Sequence, residues 1–178
     1  KGTELSKKTL GIVGFGNVGV RLSKLVKGFD MKILVNSKSL ESRKKDYPYV
    51  ENASFDELVA KCDILSFHCK AAVDGKPILT KEHMKKMKPT SYIINAARGN
   101  IIDENDLNDA LNEGLVAGAA VDVFSKEPTK ENVLFNNPKA VLTPHIGAST
   151  TEASIVVAEM VANQISDFLL NGVEKNTV

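Results

Sequence analysis

Cysteine is scarce in this 178-residue sequence, neither sign of charge dominates it, and no internal repeat or low-complexity tract runs through it. Its two cysteines, Cys62 and Cys69, lie in an apolar run without CxxC or Cys/His spacing. That excludes a disulfide scaffold and a cysteine-built metal site, and it fits buried thiols in a reducing compartment. With 23 Lys and Arg against 22 Asp and Glu, the net charge of +1 supplies no field that would gather nucleic acid or an anionic membrane. The most aliphatic stretch, Ile155 to Leu170, is interrupted by Glu159, Asn163, Gln164 and Asp167, so no membrane span is expected. No signal-peptide pattern is read either. The expectation is a soluble, cytoplasmic protein with no nucleic-acid or membrane partner and no metal.

What is present is 43% hydrophobic content, which suits one compact α/β domain over residues 1–178. Short β-rich runs alternate with segments of helical period, the sequence form of repeated βα units and a parallel sheet. The pattern predicts strands at Thr9 to Val13, Met31 to Val35, Ile64 to Phe67, Tyr92 to Asn95, Ala117 to Val121 and Ala140 to Leu142. Helices are expected over Asn17 to Lys27, Ser54 to Lys61, Thr80 to Met87 and Asp103 to Glu113, with Ser54, Thr80 and Asp103 as N-caps. Ser149-Thr-Thr-Glu152 has the form of a capping box opening a long last helix that Gly172 would end. Asn36 to Asn52 is polar and irregular, as a surface excursion would be.

The sequence Gly14-Phe-Gly-Asn-Val-Gly19 directly follows the first strand and opens a helix, the context in which GxGxxG signals a dinucleotide site. Gly14 permits the tight turn, Gly16 lets a pyrophosphate approach the backbone, and Gly19 lets helix and strand pack closely. The free amide groups at the helix start, around Asn17 and Val18, attract phosphate. The expected architecture is therefore a Rossmann-type, doubly wound parallel sheet with helices on both faces. After the second strand, where an NAD site offers an acid to the ribose 2′-hydroxyl, the chain reads Val35-Asn-Ser-Lys-Ser39. Either Ser37 and Lys38 hold the 2′-phosphate of NADP, or Lys38 is solvated and the loop accepts NAD.

Four ordered motifs then carry a family resemblance over nearly the whole chain. They are Leu10 to Gly19, Asn95-Ala-Ala-Arg-Gly-Asn-Ile-Ile-Asp103, Gly118-Ala-Ala-Val-Asp-Val-Phe-Ser-Lys-Glu-Pro128 and Thr143-Pro-His-Ile-Gly-Ala-Ser-Thr150. The chain resembles the cofactor-binding domain of the D-isomer-specific 2-hydroxyacid dehydrogenases, most closely the members acting on 3-phosphoglycerate in serine biosynthesis. The resemblance implies a catalytic arginine at Arg98, an acidic partner at Glu127 and a catalytic histidine at His145. It also implies cofactor contacts at Asp122, Ala96, Ala97, Gly147 and Ala148, a small 2-hydroxy or 2-keto acid substrate, NAD as cofactor and a homodimer.

The chemistry accounts for those types. Hydride delivery to a 2-keto acid leaves charge on the carbonyl oxygen, so a group titrating near neutrality must supply a proton. His145 would do so, with Glu127 favouring its protonated form, while the fork of Arg98 grips the substrate carboxylate. His83, among lysines, is expected to be solvated. His68 would be a buried structural residue or would line the cofactor crevice. The chain departs from the family at Cys69-Lys-Ala-Ala72, where a Pro-Leu-Thr segment is usual. The resemblance also implies a substrate domain made from segments before and after this one, with Lys1 to Lys8 and Gly172 to Val178 leading from it and back. Competing readings are a hydroxypyruvate or glyoxylate reductase, and a noncatalytic NAD(H)-sensing module like the family's corepressors.

Overall fold

In the computed structural model, which describes residues 2–176, the alternating pattern folds as a seven-stranded, wholly parallel sheet. Its strands are β1 (Thr9–Val13), β2 (Lys32–Asn36), β3 (Val50–Asn52), β4 (Ile64–Phe67), β5 (Tyr92–Asn95), β6 (Gly118–Val121) and β7 (Ala140–Leu142). They lie in the order β3-β2-β1-β4-β5-β6-β7, so the chain reverses its direction of travel across the sheet between β1 and β4. Parallel strands need crossovers, and α1 (Asn17–Val26), α2 (Phe55–Lys61), α3 (Lys81–Met84) and α4 (Glu104–Glu113) supply several of them. The doubly wound architecture expected from the motifs is present. The described residues divide between Pro144 and His145 into two compact units, the sheet with α1 to α4 forming the first. The expected connections to another domain fall partly on Lys1, Thr177 and Val178, which lie outside the described residues.

Alternation along the strands separates two cores. Leu10, Ile12, Ile33 and Val35 point to one face, where Phe15, Leu40 and Val50 join them and the apolar stripe of α1 packs. Leu34, Leu65, Phe67 and Ile93 point to the other, against Leu58 of α2, Met84 of α3 and Leu107 and Leu111 of α4. Burial on both faces is why β1 and β2 read as continuous aliphatic runs.

Several boundaries differ from expectation; among the smaller shifts, α1 ends at Val26 instead of Lys27 and β6 starts at Gly118 instead of Ala117. β2 starts and ends one residue later, because Lys32 pairs with Thr9 and carries the register through Val13 and Asn36. β3 was hidden in the polar excursion after Asn36, since only Val50 of its three residues is buried. The expected helix from Thr80 is a single turn closed by His83, whose Nδ1 accepts from the Thr80 amide at 3.2 Å while its ring meets Phe55 edge-on. His83 is thus half-buried and structural, not solvated. In the second unit, α5 (Thr151–Asn171) is capped by Thr150, whose Oγ1 accepts from the Ala153 amide at 3.0 Å. The cap falls one residue later than Ser149, which puts alanine at N3 and leaves no capping box. Gly172, at φ 64°, ends this helix as expected. With 21 residues and a mean hydropathy of 1.3 over its most apolar 18, α5 is long and apolar enough to cross a membrane, despite Glu159 and Asp167. A single helix meeting that test is weak ground for a membrane reading.

Candidate dinucleotide and catalytic site

The glycine-rich turn sits between β1 and α1, at the carboxyl edge of the sheet beside the reversal point, where open α/β sheets bind ligands. Gly14 adopts φ 92°, and a Cβ there would stand 2.6 Å from the His68 carbonyl oxygen and 2.8 Å from the Cys69 amide nitrogen. The loop after β4 therefore lies directly on the turn. A Cβ on Gly19 would overlap the Gly14 carbonyl, which is the close helix-to-strand packing the motif demands. Gly16 is different: nothing lies within 4 Å of where its Cβ would be. No packing inside the protein requires glycine there, and the open space above the first amides of α1 suits a phosphate. These residues fit a dinucleotide.

β4 and β5 place the next groups on the same edge. Val18, His68, Cys69, Lys70 and the Ala96-Ala97-Arg98 run line a cavity of about 230 Å³. His68 is held by a 2.9 Å hydrogen bond between its Nε2 and Ser66 Oγ, and burial pushes its pKa below the ordinary value, so it is neutral near pH 7. His68 is half-buried and lines this cavity. Burial raises the Cys69 thiol too, and drives that of Cys62 up to about 12, so neither is a ready nucleophile. The family departure at Cys69 and Lys70 thus puts a thiol and a cation beside Arg98.

Arg98 leaves the sheet on a turn that Asn95 ties together. Asn95 is buried at the end of β5; its Nδ2 donates to the Arg98 carbonyl at 2.9 Å and its Oδ1 accepts from the Ala97 amide at 3.2 Å. The Arg98 side chain donates to the Ala97 carbonyl at 2.6 Å and is exposed to the cavity. Gly99 then passes so close to β6's exit that a Cβ would overlap the Phe124 carbonyl group. Glu127 Oε1 accepts from the Phe124 amide at 2.8 Å, which ties that acid to the same crossing. Asp122, buried at the end of β6, accepts from Thr143 Oγ1 at 2.5 Å. The first unit therefore brings Gly14, Gly16, Asn17, Val18, Gly19, Ala96, Ala97, Arg98, Asp122 and Glu127 to one edge of its sheet. Asn95, Thr143 and Ser66 were given no role by sequence reasoning; Asn95 and Thr143 carried a signal, as the first residues of the Arg98 and His145 motifs.

His145, Gly147 and Ala148 belong to the second unit. His145 adopts φ 54°, a left-handed conformation uncommon outside glycine. The turn that follows is closed by the Ser149 amide on the Ile146 carbonyl at 2.9 Å and the Thr150 amide on the Ala148 carbonyl at 3.0 Å, which leads into the α5 cap. Strained residues concentrate at functional sites, and His145 is the candidate that the family resemblance offered as the catalytic histidine.

At the other end of the glycine turn, Ser37 is extended and precedes a 3-10 segment, Lys38–Asp46. Asn36, the last residue of β2, spends its side-chain amide on the Ala53 carbonyl at 2.9 Å. No acid occupies the end of β2.

Residues 1–147 match the family described as D-isomer specific 2-hydroxyacid dehydrogenase, NAD binding domain. The chain is 38% identical over 99% of its length to a glyoxylate reductase of Thermococcus litoralis, covering 54% of that protein. It is 40% identical over 94% of its length to D-3-phosphoglycerate dehydrogenase of Bacillus subtilis, covering 32% of that one. Among solved structures, a glyoxylate reductase from Paecilomyes thermophila superposes with a TM-score of 0.88 at 35% identity, over 98% of this chain and 53% of the other. The chain spans about a third to a half of the length of these relatives. It belongs to the D-isomer specific 2-hydroxyacid dehydrogenase family and comprises its NAD-binding domain.

Proposed function

From that membership we propose that the chain is the cofactor-binding and catalytic-residue domain of an enzyme interconverting D-2-hydroxy acids and 2-keto acids, with 3-phosphoglycerate as the substrate. The observation that carries the reading is the Asn95-tied turn, which holds Arg98 beside the cavity of the glycine-rich motif. A nicotinamide dinucleotide, when bound, supplies hydride exchange. Gly14 to Gly19 would hold its diphosphate; Ala96, Ala97, Asp122, Gly147 and Ala148 would complete its contacts. Arg98 binds the substrate carboxylate through paired donors and polarises the adjacent carbonyl, which a lysine's point charge does less well. His145 gives a proton to the carbonyl oxygen during reduction and takes it back during oxidation. Glu127 is the acidic partner of that histidine by resemblance to the family. The reading carries a homodimer with it by resemblance to the family, and a cytoplasmic site of action, which two cysteines outside any disulfide suit.

The preference for 3-phosphoglycerate is supported by the Asn95 to Gly99 and Pro144 to Thr150 sequences, which resemble those of phosphoglycerate dehydrogenases. A glyoxylate or hydroxypyruvate reductase is the second reading, supported by the 38% identity to the glyoxylate reductase of Thermococcus litoralis. The test is reduction of phosphohydroxypyruvate, hydroxypyruvate and glyoxylate by the full-length protein and its His145→Asn variant. The proposal expects kcat/KM to be highest for phosphohydroxypyruvate and turnover in the variant to fall on the order of 10²-fold or more, with cofactor affinity retained. Cofactor binding without turnover of any 2-keto acid would favour a sensing module instead.

A further inference from the structure

β6 and β7 are joined by residues 122–139, a long connection without helix or strand, and it carries Glu127. Long connections of that kind in a compact domain are mostly functional. Phe124 and Leu134 are buried, and between them residues 125–132 form an arc of mostly exposed residues. Both ends of the arc are fastened to one carboxylate, that of Glu104 in the first turn of α4. The Ser125 amide donates to its Oε1 at 2.7 Å, while the Ser125 hydroxyl and Asn132 Nδ2 donate to its Oε2 at 3.0 and 2.8 Å. Asn132 Oδ1 in turn accepts from the amide of Leu134 at 3.0 Å. Further along, Asn137 Nδ2 donates to Asn108 Oδ1 at 2.8 Å and Lys139 Nζ to the Leu111 carbonyl at 2.5 Å, so α4 holds the connection along its length. Between its fastened ends the arc stands over a cavity of about 520 Å³ bounded by Glu104, Lys126, Pro128, Thr129 and Asn132, and so rests on the carboxylate rather than on packed side chains.

We infer that Glu104 is a positioning residue for the reaction, clamping both ends of the Ser125 to Asn132 arc and so fixing Glu127 relative to Arg98. The inference rests on the proposed function, in which Arg98 binds substrate and Glu127 is the acidic partner. Both groups are tied to the first turn of α4. The Arg98 turn runs directly into Asp103, whose side chain caps that helix by accepting from the Asn105 and Asp106 amides at 2.9 and 3.0 Å. Gly99, next to Arg98, abuts the arc: a Cβ there would stand 2.4 Å from the Ser125 amide nitrogen, the same amide that donates to Glu104. Ser125 leads on to Glu127, whose Oε1 is held by the Phe124 amide at 2.8 Å. An ionised carboxylate has two accepting oxygens and serves all three donors, through bonds of the stronger, charge-assisted kind. Glutamine in its place would keep one accepting oxygen and turn the other into a donor. Sequence reading gave Glu104 no role, because its partners are brought to it only by the fold.

The test is a double-mutant cycle in the full-length protein, comparing the wild type, Glu104→Ala, Glu127→Gln and the pair on whichever of phosphohydroxypyruvate, hydroxypyruvate and glyoxylate the wild type reduces fastest. NADH titration and circular dichroism of each variant report cofactor affinity and folding. Glu104→Ala should lower kcat on the order of 10-fold and leave NADH affinity within about twofold, because a loosened arc misplaces Glu127 without touching the glycine-rich turn. In the Glu127→Gln background the same substitution should change kcat by less than about twofold, since a residue acting through Glu127 has nothing left to position. Glu104→Gln should fall between the wild type and Glu104→Ala, and it carries the same cycle if the alanine variant does not fold. An equal loss in both backgrounds, or wild-type kcat in Glu104→Ala, would overturn the inference and leave the proposed function standing. Wild-type turnover in Glu127→Gln would instead overturn the acidic-partner role on which the inference rests.

Discussion

Asn95 and Arg98 are joined through the backbone: the buried carboxamide of the first donates to the carbonyl of the second at 2.9 Å while it accepts from the intervening Ala97 amide. One side chain therefore closes the turn that presents the guanidinium. Asn95→Ala should cost about 1–3 kcal/mol of stability by leaving that carbonyl and amide without partners. In the full-length protein it should also lower kcat/KM for the keto acid more than it weakens cofactor binding. Urea unfolding and steady-state kinetics check this, and a variant with wild-type kinetics would show that the turn stands without the staple.

Gly99→Ala addresses the crossing of the Arg98 turn over the exit of β6. The added methyl group would overlap the Phe124 carbonyl, backbone against backbone, with no flexible side chain to yield. A loss of about 1–3 kcal/mol or more is expected, from overpacking at a contact that cannot relax. The urea midpoint measures it. Gly28→Ala, where a Cβ meets nothing within 4 Å, serves as the control and should be tolerated.

The cap of α2 gives a pH prediction. Glu57 accepts from Lys61 Nζ at 2.9 Å and from the Ser54 amide at 3.0 Å, and these bonds hold its pKa at about 2 instead of the ordinary 4.5. A carboxyl whose folded pKa is depressed contributes stability that is fully present above the unfolded value and lost as pH falls through the folded one. The contribution should therefore disappear between about pH 4.5 and pH 2. Acid unfolding followed by circular dichroism should be less steep over that interval in Glu57→Gln; parallel curves for the two proteins would remove Glu57 from the acid response.

What the sequence made legible follows the range over which each feature is determined. The Gly14 to Gly19 turn, the Ser54 and Asp103 caps and the Gly172 stop depend on a few neighbouring residues, and each is where its local chemistry put it. The aliphatic strands were equally plain, since burial on both faces leaves an unbroken apolar run. β3 was not, because two of its three residues are exposed and only pairing with β2 makes it a strand. At the candidate site, Arg98, Glu127 and His145 were singled out through their motifs. The work of Asn95 and the hold of Glu104 on Ser125 and Asn132 were not, as both arise from contacts that the linear pattern does not encode.

The position of β1 in the middle of the sheet has a consequence for biosynthesis. Its two partners, β2 and β4, are separated by the whole of β3 and α2, so during synthesis β1 keeps an open edge until β4, which ends at Phe67, has followed it out of the ribosome. During that interval the aliphatic Thr9–Val13 strand presents unpaired amides and carbonyls to any passing chain. A strand that ends up inside the sheet is thus open on one side during synthesis, and nascent chains stalled before Phe67 should be those that most need a chaperone.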